Sequence, residues 1–333
     1  MSSPLAGKRA VVTGAGGFIG SHLTERLVRE GAEVTAFVRY NSRNDHGLLE
    51  VLPYDVRTNM QVVAGDLRDA EAVAELVEGT HLVFHLGAIV GIPYSYDHCR
   101  DVVEANVLGT FNVLTGVRRA GVERLVHTST SEVYGTAQYV PMDEKHPLCG
   151  QSPYAATKTA ADKLTESFFR SYDVPAVIVR PFNTYGPRQS ARAIIPTIVT
   201  QALANERVYV GATEPRRDFT YVSDTVAGML AVATAEGVVG EVINLGCGRD
   251  VSVGELADLI LRLLGKNGEV EVVFDASRIR PAKSEVQRLQ SDNAKAQRLL
   301  GWQPQLSLEE GLQRTIEWIA DRLHTYKPNQ YNT

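Results

Sequence analysis

Tyr154 and Lys158 lie four residues apart in the segment YAATK, a spacing that puts both side chains on one face of a helix. A phenol beside an ammonium group is a proton-moving pair, because nearby positive charge lowers a tyrosine pKa and makes it a base. The segment STSEVYG, residues 129–135, adds a hydroxyl at Thr130 and a carboxylate at Glu132. At an extended strand end, positions two apart point to the same side, so both groups would serve one site. Far upstream, Gly14, Gly17 and Gly20 in TGAGGFIG are spaced GxxGxxG. Glycine there permits a tight turn and close backbone approach to a pyrophosphate, and the start of the following helix offers free N–H groups. Together the three segments point to proton transfer coupled to hydride transfer with a bound dinucleotide. Each alone also has a plain structural reading: a tight strand–helix turn, an exposed helix pair, or a carboxylate holding a nearby arginine.

These residues need a scaffold, and the chain supplies one. Residues 9–13 form a short apolar run that ends in the glycine turn, and residues 18–30 have helical periodicity up to Gly31. Further strands are expected over 33–38, 61–67, 81–88, 122–130 and 176–183, with helices over 70–79, 101–120 and 154–171. Continuous apolar strands alternating with helices predict an α/β fold with a doubly wound parallel sheet. Beyond Arg180, Pro181, Pro187, Pro196 and Pro215 break the chain into shorter pieces. A strand over 242–248 and helices over 252–265 and 307–323 follow, the helices opened by capping boxes at Ser252 and Ser307. The division expected is a dinucleotide-binding domain over 1–180 and a smaller α/β lobe over 181–325, some of whose segments return to the first.

The end of the second strand ordinarily carries an acid that holds the adenosine ribose. Residues 37–43 hold no acid and two arginines, Arg39 and Arg43. Arginine forks can bind a 2′-phosphate, which favours NADP over NAD; the plain alternative is two solvated charges. Asp66 is placed either to accept from the adenine amino group or to cap the next turn. His22 and His85 read as structural, Tyr134 and Tyr185 as packing or substrate-wall residues, and Asp224 as a helix N-cap.

The composition excludes several classes. In 333 residues, 44% are hydrophobic and 22% charged, and the net charge is −5, which suits no nucleic-acid partner. No signal-like segment and no run of 18 apolar residues is present, so no membrane partner and a cytoplasmic location are expected. Cys99, Cys149 and Cys247 are widely spaced, with no metal or disulfide pattern, which fits a reducing compartment.

The motif set resembles the extended short-chain dehydrogenase/reductase superfamily in its nucleotide-sugar-modifying branch. The resemblance covers nearly the whole chain: TGAGGFIG (13–20), GDL (65–67), HLGA (85–88), ANVLGTFNVL (105–114), STSEVYG (129–135), YAATK (154–158), RPFNTYGPRQ (180–189), RRDFTYVSD (216–224) and NLGCG (244–248). It implies that Phe18, Ile19, Leu67, Leu86 and Ala88 help hold the cofactor alongside the residues above. It implies a nucleotide-diphosphate sugar as substrate, with Asn183, Arg188, Arg217 and Arg280 as anchors and residues 190–198 lining a base pocket. A homodimer through helices near 101–120 and 154–171 is implied too.

In such enzymes Tyr154 would take the O4 proton while hydride leaves C4, with Thr130 hydrogen-bonding O4. The run Thr130-Ser131-Glu132 is similar to that of the 4,6-dehydratases, where a carboxylate serves C5 and the departing C6 hydroxyl before hydride returns to C6. The Thr-Ser-Glu form and the missing strand-two acid resemble GDP-mannose 4,6-dehydratases. Residues 37–44 and 180–198 resemble dehydratases of the legionaminic-acid pathway, which act on an NDP-N-acetylglucosamine. UDP-glucuronate decarboxylases carry a similar TSEVYG segment, and epimerases share the first half of the chemistry. Both remain alternatives, with a non-catalytic NADP-binding regulator more remote.

Overall fold

A computed structural model of the protein describes residues 3–330. Its main sheet has seven parallel strands in the order β10-β6-β5-β4-β1-β2-β3. They are β1 (Arg9–Thr13), β2 (Glu33–Arg39), β3 (Met60–Gly65), β4 (Leu82–His85), β5 (Arg124–Thr128), β6 (Ala176–Pro181) and β10 (Val242–Leu245). The order runs outward from β1 in both directions, which is the doubly wound pattern. A crevice opens where it reverses, beyond the carboxyl ends of β1 and β4. Val11, Val12, Val83, Phe84 and Val126 are completely enclosed, as strands covered on both faces require.

Helices cover each face. Leu23 and Leu27 of helix Phe18–Arg29 share one core with Val126, Val177 and Val179 of the sheet and with Ile198, Met229 and Leu312 further along. On the opposite face Val73, Val77, Val113, Val117 and Phe168 form a second core. The first core runs from the sheet into the later half of the chain without a break.

That later half carries two small sheets. One joins β7 (Asn183–Tyr185), β9 (Arg216–Tyr221) and β11 (Asp250–Ser252); the other pairs β8 (Arg207–Val210) with β12 (Glu271–Phe274). Helices Val253–Leu263 and Leu308–Ala320 begin at complete capping boxes on Ser252 and Ser307. The strand expected over 242–248 is β10, and it lies parallel to β6 as the outermost strand of the main sheet.

Three local expectations need correction. The helix expected over 101–120 is interrupted: Cys99–Val103 and Gly109–Ala120 are α-helical, and Glu104–Leu108 is a π-turn. β5 stops at Thr128, and Ser131–Tyr134 coil into a 3-10 turn, so Thr130 and Glu132 do not share the side of a strand. Asp224 sits inside helix Val222–Thr234, whose N-cap is Tyr221, and its carboxylate accepts the N–H groups of Gln305 and Leu306. No helix among the described residues is long and apolar enough to cross a membrane.

Candidate active site

Gly14 adopts φ +71°, and a Cβ there would stand 2.8 Å from the Gly87 nitrogen of the neighbouring β4 loop. A Cβ on Gly20 would strike the Gly14 carbonyl. The turn therefore closes only with glycine at these positions. Gly17 caps helix Phe18–Arg29 with no side-chain bond, which leaves the first-turn N–H groups of Phe18 and Ile19 facing the crevice. This is a cradle for a diphosphate.

A cavity of about 760 Å³ extends from the cradle. Gly14, Gly17, Phe18, Ile19, Gly20, Arg39, Arg43, Leu86, Ala88, Thr130, Ser131, Glu132, Tyr154, Lys158 and Asn183 all line it. A side pocket of about 170 Å³ is lined by Arg39, Asp66, Leu67 and Ala88. Asp66 accepts the Arg68 backbone N–H at 2.9 Å and holds its guanidinium, so it caps its own turn while bordering this pocket. At the far end Asn41 folds the loop by accepting the N–H groups of Arg43 and Asp45 at 3.1 Å. That loop brings an acid the strand-end reading did not include: Asp45 lines the cavity, bonded to the Gly47 N–H and 3.9 Å from Arg43.

Tyr154 is one residue into helix Pro153–Tyr172, capped by Ser152, and is buried with Lys158 one turn on. Burial pushes the Tyr154 phenol above the ordinary tyrosine range; the Thr130 hydroxyl beside it pulls down, and the charges of Glu132 and Asp162 push up. The expected lowering by Lys158 is not among the influences on the phenol, and desolvation keeps it protonated in the protein alone. Burial lowers the Lys158 ammonium to about 8, with Asp162 opposing. Thr130 caps the 3-10 turn by accepting the Glu132 N–H at 3.2 Å, which is how Glu132 reaches the cavity despite the end of the strand.

A second cavity of about 1050 Å³ adjoins the first and shares Gly17, Ala88, Glu132, Tyr154 and Asn183 with it. Arg188, Arg192, Arg278, Arg280 and Arg322 make its walls cationic; Tyr209, Trp318 and Tyr326 supply aromatic faces. Residues 190–194 and Thr197 border it, where a base pocket was expected. The Asn183 Oδ1 is buried with no partner among the described residues. Arg188 is held by Glu25 of helix Phe18–Arg29, with its Nε and Nη1 unpartnered among the described residues. Arg217 lies behind the wall, bonded to Glu285 at 3.1 Å, and Glu132 and Glu285 both favour its charge against burial. Arg280 reaches the same Glu285 oxygen at 3.7 Å.

Sequence reasoning passed over Asn106. It sits in the π-turn, accepts the Ile89 N–H at 2.8 Å, and donates to Ile89 O and Thr157 Oγ1 at 3.0 Å. It thereby pins the loop after β4 to the helix that carries Tyr154. His85 bonds Thr13 at 2.8 Å and Thr110 at 3.0 Å. Tyr134 and Tyr185 are enclosed and serve packing, their hydroxyls bonded to Asn244 and to the Leu308 carbonyl.

A glycine-cradled dinucleotide cleft opening into a cationic second cavity, with a buried Tyr–Lys pair at the junction, defines a nicotinamide-dependent enzyme of the extended short-chain dehydrogenase/reductase class. Residues 11–315 match the family model described as GDP-mannose 4,6 dehydratase, and the chain belongs to that family. It is similar to the dTDP-D-glucose 4,6-dehydratase of Mus musculus, 31% identical over 96% of this chain and 91% of the relative. UDP-glucuronic acid decarboxylase 1 of Xenopus tropicalis is 32% identical over 97% of this chain and 75% of the relative. Among solved structures, a double mutant of DesIV, a dTDP-glucose 4,6-dehydratase from Streptomyces venezuelae with NAD bound, superposes with a TM-score of 0.85 at 32% identity, covering 97% of this chain and 100% of that one. The Rossmann sheet and the nucleotide-sugar branch expected from the motifs are thus the ones found.

Proposed function

We propose that the protein is an NDP-hexose 4,6-dehydratase acting on an NDP-N-acetylglucosamine and releasing a 4-keto-6-deoxy sugar. The observation that carries this reading is Glu132: a carboxylate lines the junction of the two cavities beside Thr130 and Tyr154. Oxidation at C4 needs no carboxylate there, whereas loss of water across C5 and C6 needs a group to take one proton and deliver another.

The roles follow from position. Thr130 orients the sugar O4, and Tyr154 takes its proton with Lys158 alongside. The C5 hydrogen, acidified by the new ketone, passes to Glu132, which returns a proton to the departing C6 hydroxyl; Ser131 flanks it. The glycine cradle would hold the diphosphate of a nicotinamide dinucleotide, which would supply reversible hydride transfer with no net redox change. Arg188 and Arg280, with Asn183, anchor the diphosphate, and Arg217 backs Arg280 through their shared Glu285. Arg39 and Arg43 support NADP over NAD, by offering guanidinium forks to a 2′-phosphate, with the charge of Asp45 beside Arg43 opposing them. We assign the cytoplasm as its location, and residues 1–180 and 181–325 to cofactor and sugar binding, respectively, with β10 returning to the first.

Mass spectrometry of the purified protein with a panel of GDP-, UDP- and dTDP-hexoses, including N-acetylglucosamine forms and no added reductant, tests this. A loss of about 18 mass units, one water, from an N-acetylglucosamine nucleotide is the expected result. A new isomer of unchanged mass, or loss of carbon dioxide from UDP-glucuronate, would replace the reading with epimerisation or decarboxylation.

A further inference from the structure

One turn beyond Lys158 on the same helix stands Asp162, 1% exposed and beneath the reacting residues. Its Oδ2 accepts the Ser129 hydroxyl at 2.9 Å and the Arg180 Nη2 and Nε at 2.9 and 3.1 Å. His127 Nε2 is 3.4 Å from its other oxygen. Arg180 in turn donates to the Tyr134 hydroxyl at 2.9 Å. Ser129 immediately precedes Thr130, His127 lies in β5 and Arg180 in β6. One carboxylate therefore joins three backbone segments under the site.

A charge so deeply enclosed is costly unless it is paired and hydrogen-bonded. The Arg180 pair balances Asp162, but the sheet and helix would pack without either if apolar residues filled the space. Neither side chain lines the cleft. The charged or titratable groups around the cluster are Lys158 and Tyr154 on the helix, His127 and His85 from the strands, Arg180 from β6, and Tyr134 and Glu132 from the 3-10 turn.

We propose that Asp162 is a positioning residue for proton transfer, clamping the helix of Tyr154 and Lys158 to the strand end that carries Thr130 and supplying the fixed negative charge that holds the buried Lys158 ammonium. Two independent features support it. The Ser129 bond fixes the distance between the Thr130 hydroxyl and the Tyr154 phenol, because it ties the residue next to Thr130 to the helix of Tyr154. The charge of Asp162 opposes the desolvation that drives Lys158 toward its neutral form. The same charge raises Tyr154, so its removal moves both groups in one direction. The inference rests on the Tyr–Lys proton chemistry of the proposed function and is independent of which bond breaks after C4.

The test compares wild type, Asp162→Asn, Asp162→Glu and Ser129→Ala, each loaded with the nicotinamide cofactor. In Asp162→Asn, kcat falls about 100-fold with KM unchanged. The alkaline limb of its pH profile moves to lower pH, and so does Tyr154 ionisation, followed by ultraviolet difference absorbance against Tyr154→Phe. Asp162→Glu recovers the wild-type pH profile. Ser129→Ala, which keeps the Asp162–Arg180 pair, lowers kcat without moving the profile, and it decides the clamp should Asp162→Asn fail to fold. Unchanged kcat in Ser129→Ala, or coincident Tyr154 ionisation in wild type and Asp162→Asn, overturns the proposal. The ionisation comparison needs no substrate. A wild type that dehydrates no sugar nucleotide would defeat the dehydratase reading alone.

Discussion

At the scale of residues, the site divides labour between groups of opposite demand. Tyr154 must lose a proton while burial holds it protonated, and Lys158 must keep one while burial lowers it to about 8. The protonated lysine is the form that stabilises a tyrosinate, so activity should decline as pH rises through about 8, which a kcat profile from pH 6 to 10 would show. Replacing Tyr154 with Phe removes the C4 step and should lower turnover by about 10²- to 10⁴-fold. Glu132→Gln should behave differently: C4 oxidation remains measurable as a transient in cofactor absorbance, while water loss stops. Wild-type formation of 4-keto-6-deoxy product by Glu132→Gln would remove that residue from its role. Arg43→Ala should weaken NADP more than NAD in a direct binding titration, since only NADP has the 2′-phosphate.

Among the elements, helix Phe18–Arg29 works at both ends. Its start faces the diphosphate cradle, and its body holds the loop of Pro187 and Arg188 through His22 Nε2–H donating to the Pro187 carbonyl at 2.9 Å and Glu25 pairing with Arg188. Burial, followed by the charge of Arg188, lowers His22 from 6.5 to about 4. The unfolded chain therefore binds a proton that the folded one refuses. His22 costs stability as pH falls from about 6.5 to 4, by at most about 3 kcal/mol, less for the part of the ring that water reaches. Urea unfolding at pH 5 and 7 should show a smaller loss in His22→Gln than in wild type.

The elements also mark how far sequence carries. Apolar runs such as residues 9–13 and 176–183 announce buried parallel strands, the second ending at Pro181, and the capping boxes at Ser252 and Ser307 announce helix starts, because those patterns are written in side-chain type. The π-turn at Glu104–Leu108 was illegible: it shifts the backbone hydrogen-bond ladder by one residue and leaves helical composition untouched. Glu132 was found for a reason that failed, since a 3-10 turn rather than an extended strand presents it. Asp162 stands four residues after Lys158 in plain view, but an acid within a helix carries no sign in its type or spacing of whether it is buried.

For the whole molecule, four of the exposed apolar side chains lie on two neighbouring helices. Val103, Leu108 and Phe111 are 43%, 45% and 43% exposed along the interrupted helix, and Tyr172 is 46% exposed at the end of the Tyr154 helix. Such side chains, clustered on two adjacent helices, suit a partner surface. We propose that two copies associate there, as the motif resemblance implied. Light scattering should give a dimer for wild type, and Leu108→Asp combined with Phe111→Asp should give a monomer.

Strand β10 has consequences for how the chain comes into being. The main sheet closes its edge with residues 242–245, and Asn244 there bonds both Tyr134 and the Met142 carbonyl. A nascent chain emerging from the ribosome has presented all six earlier strands of this sheet by residue 181, yet β6 keeps an open ladder until some sixty further residues have been made. Through that interval the hydrogen-bonding edge of β6 is a template for another polypeptide. Synthesis halted before residue 242 should therefore yield material that aggregates or is held by chaperones, even though the contacts that close the cofactor cradle all lie within the first ninety residues.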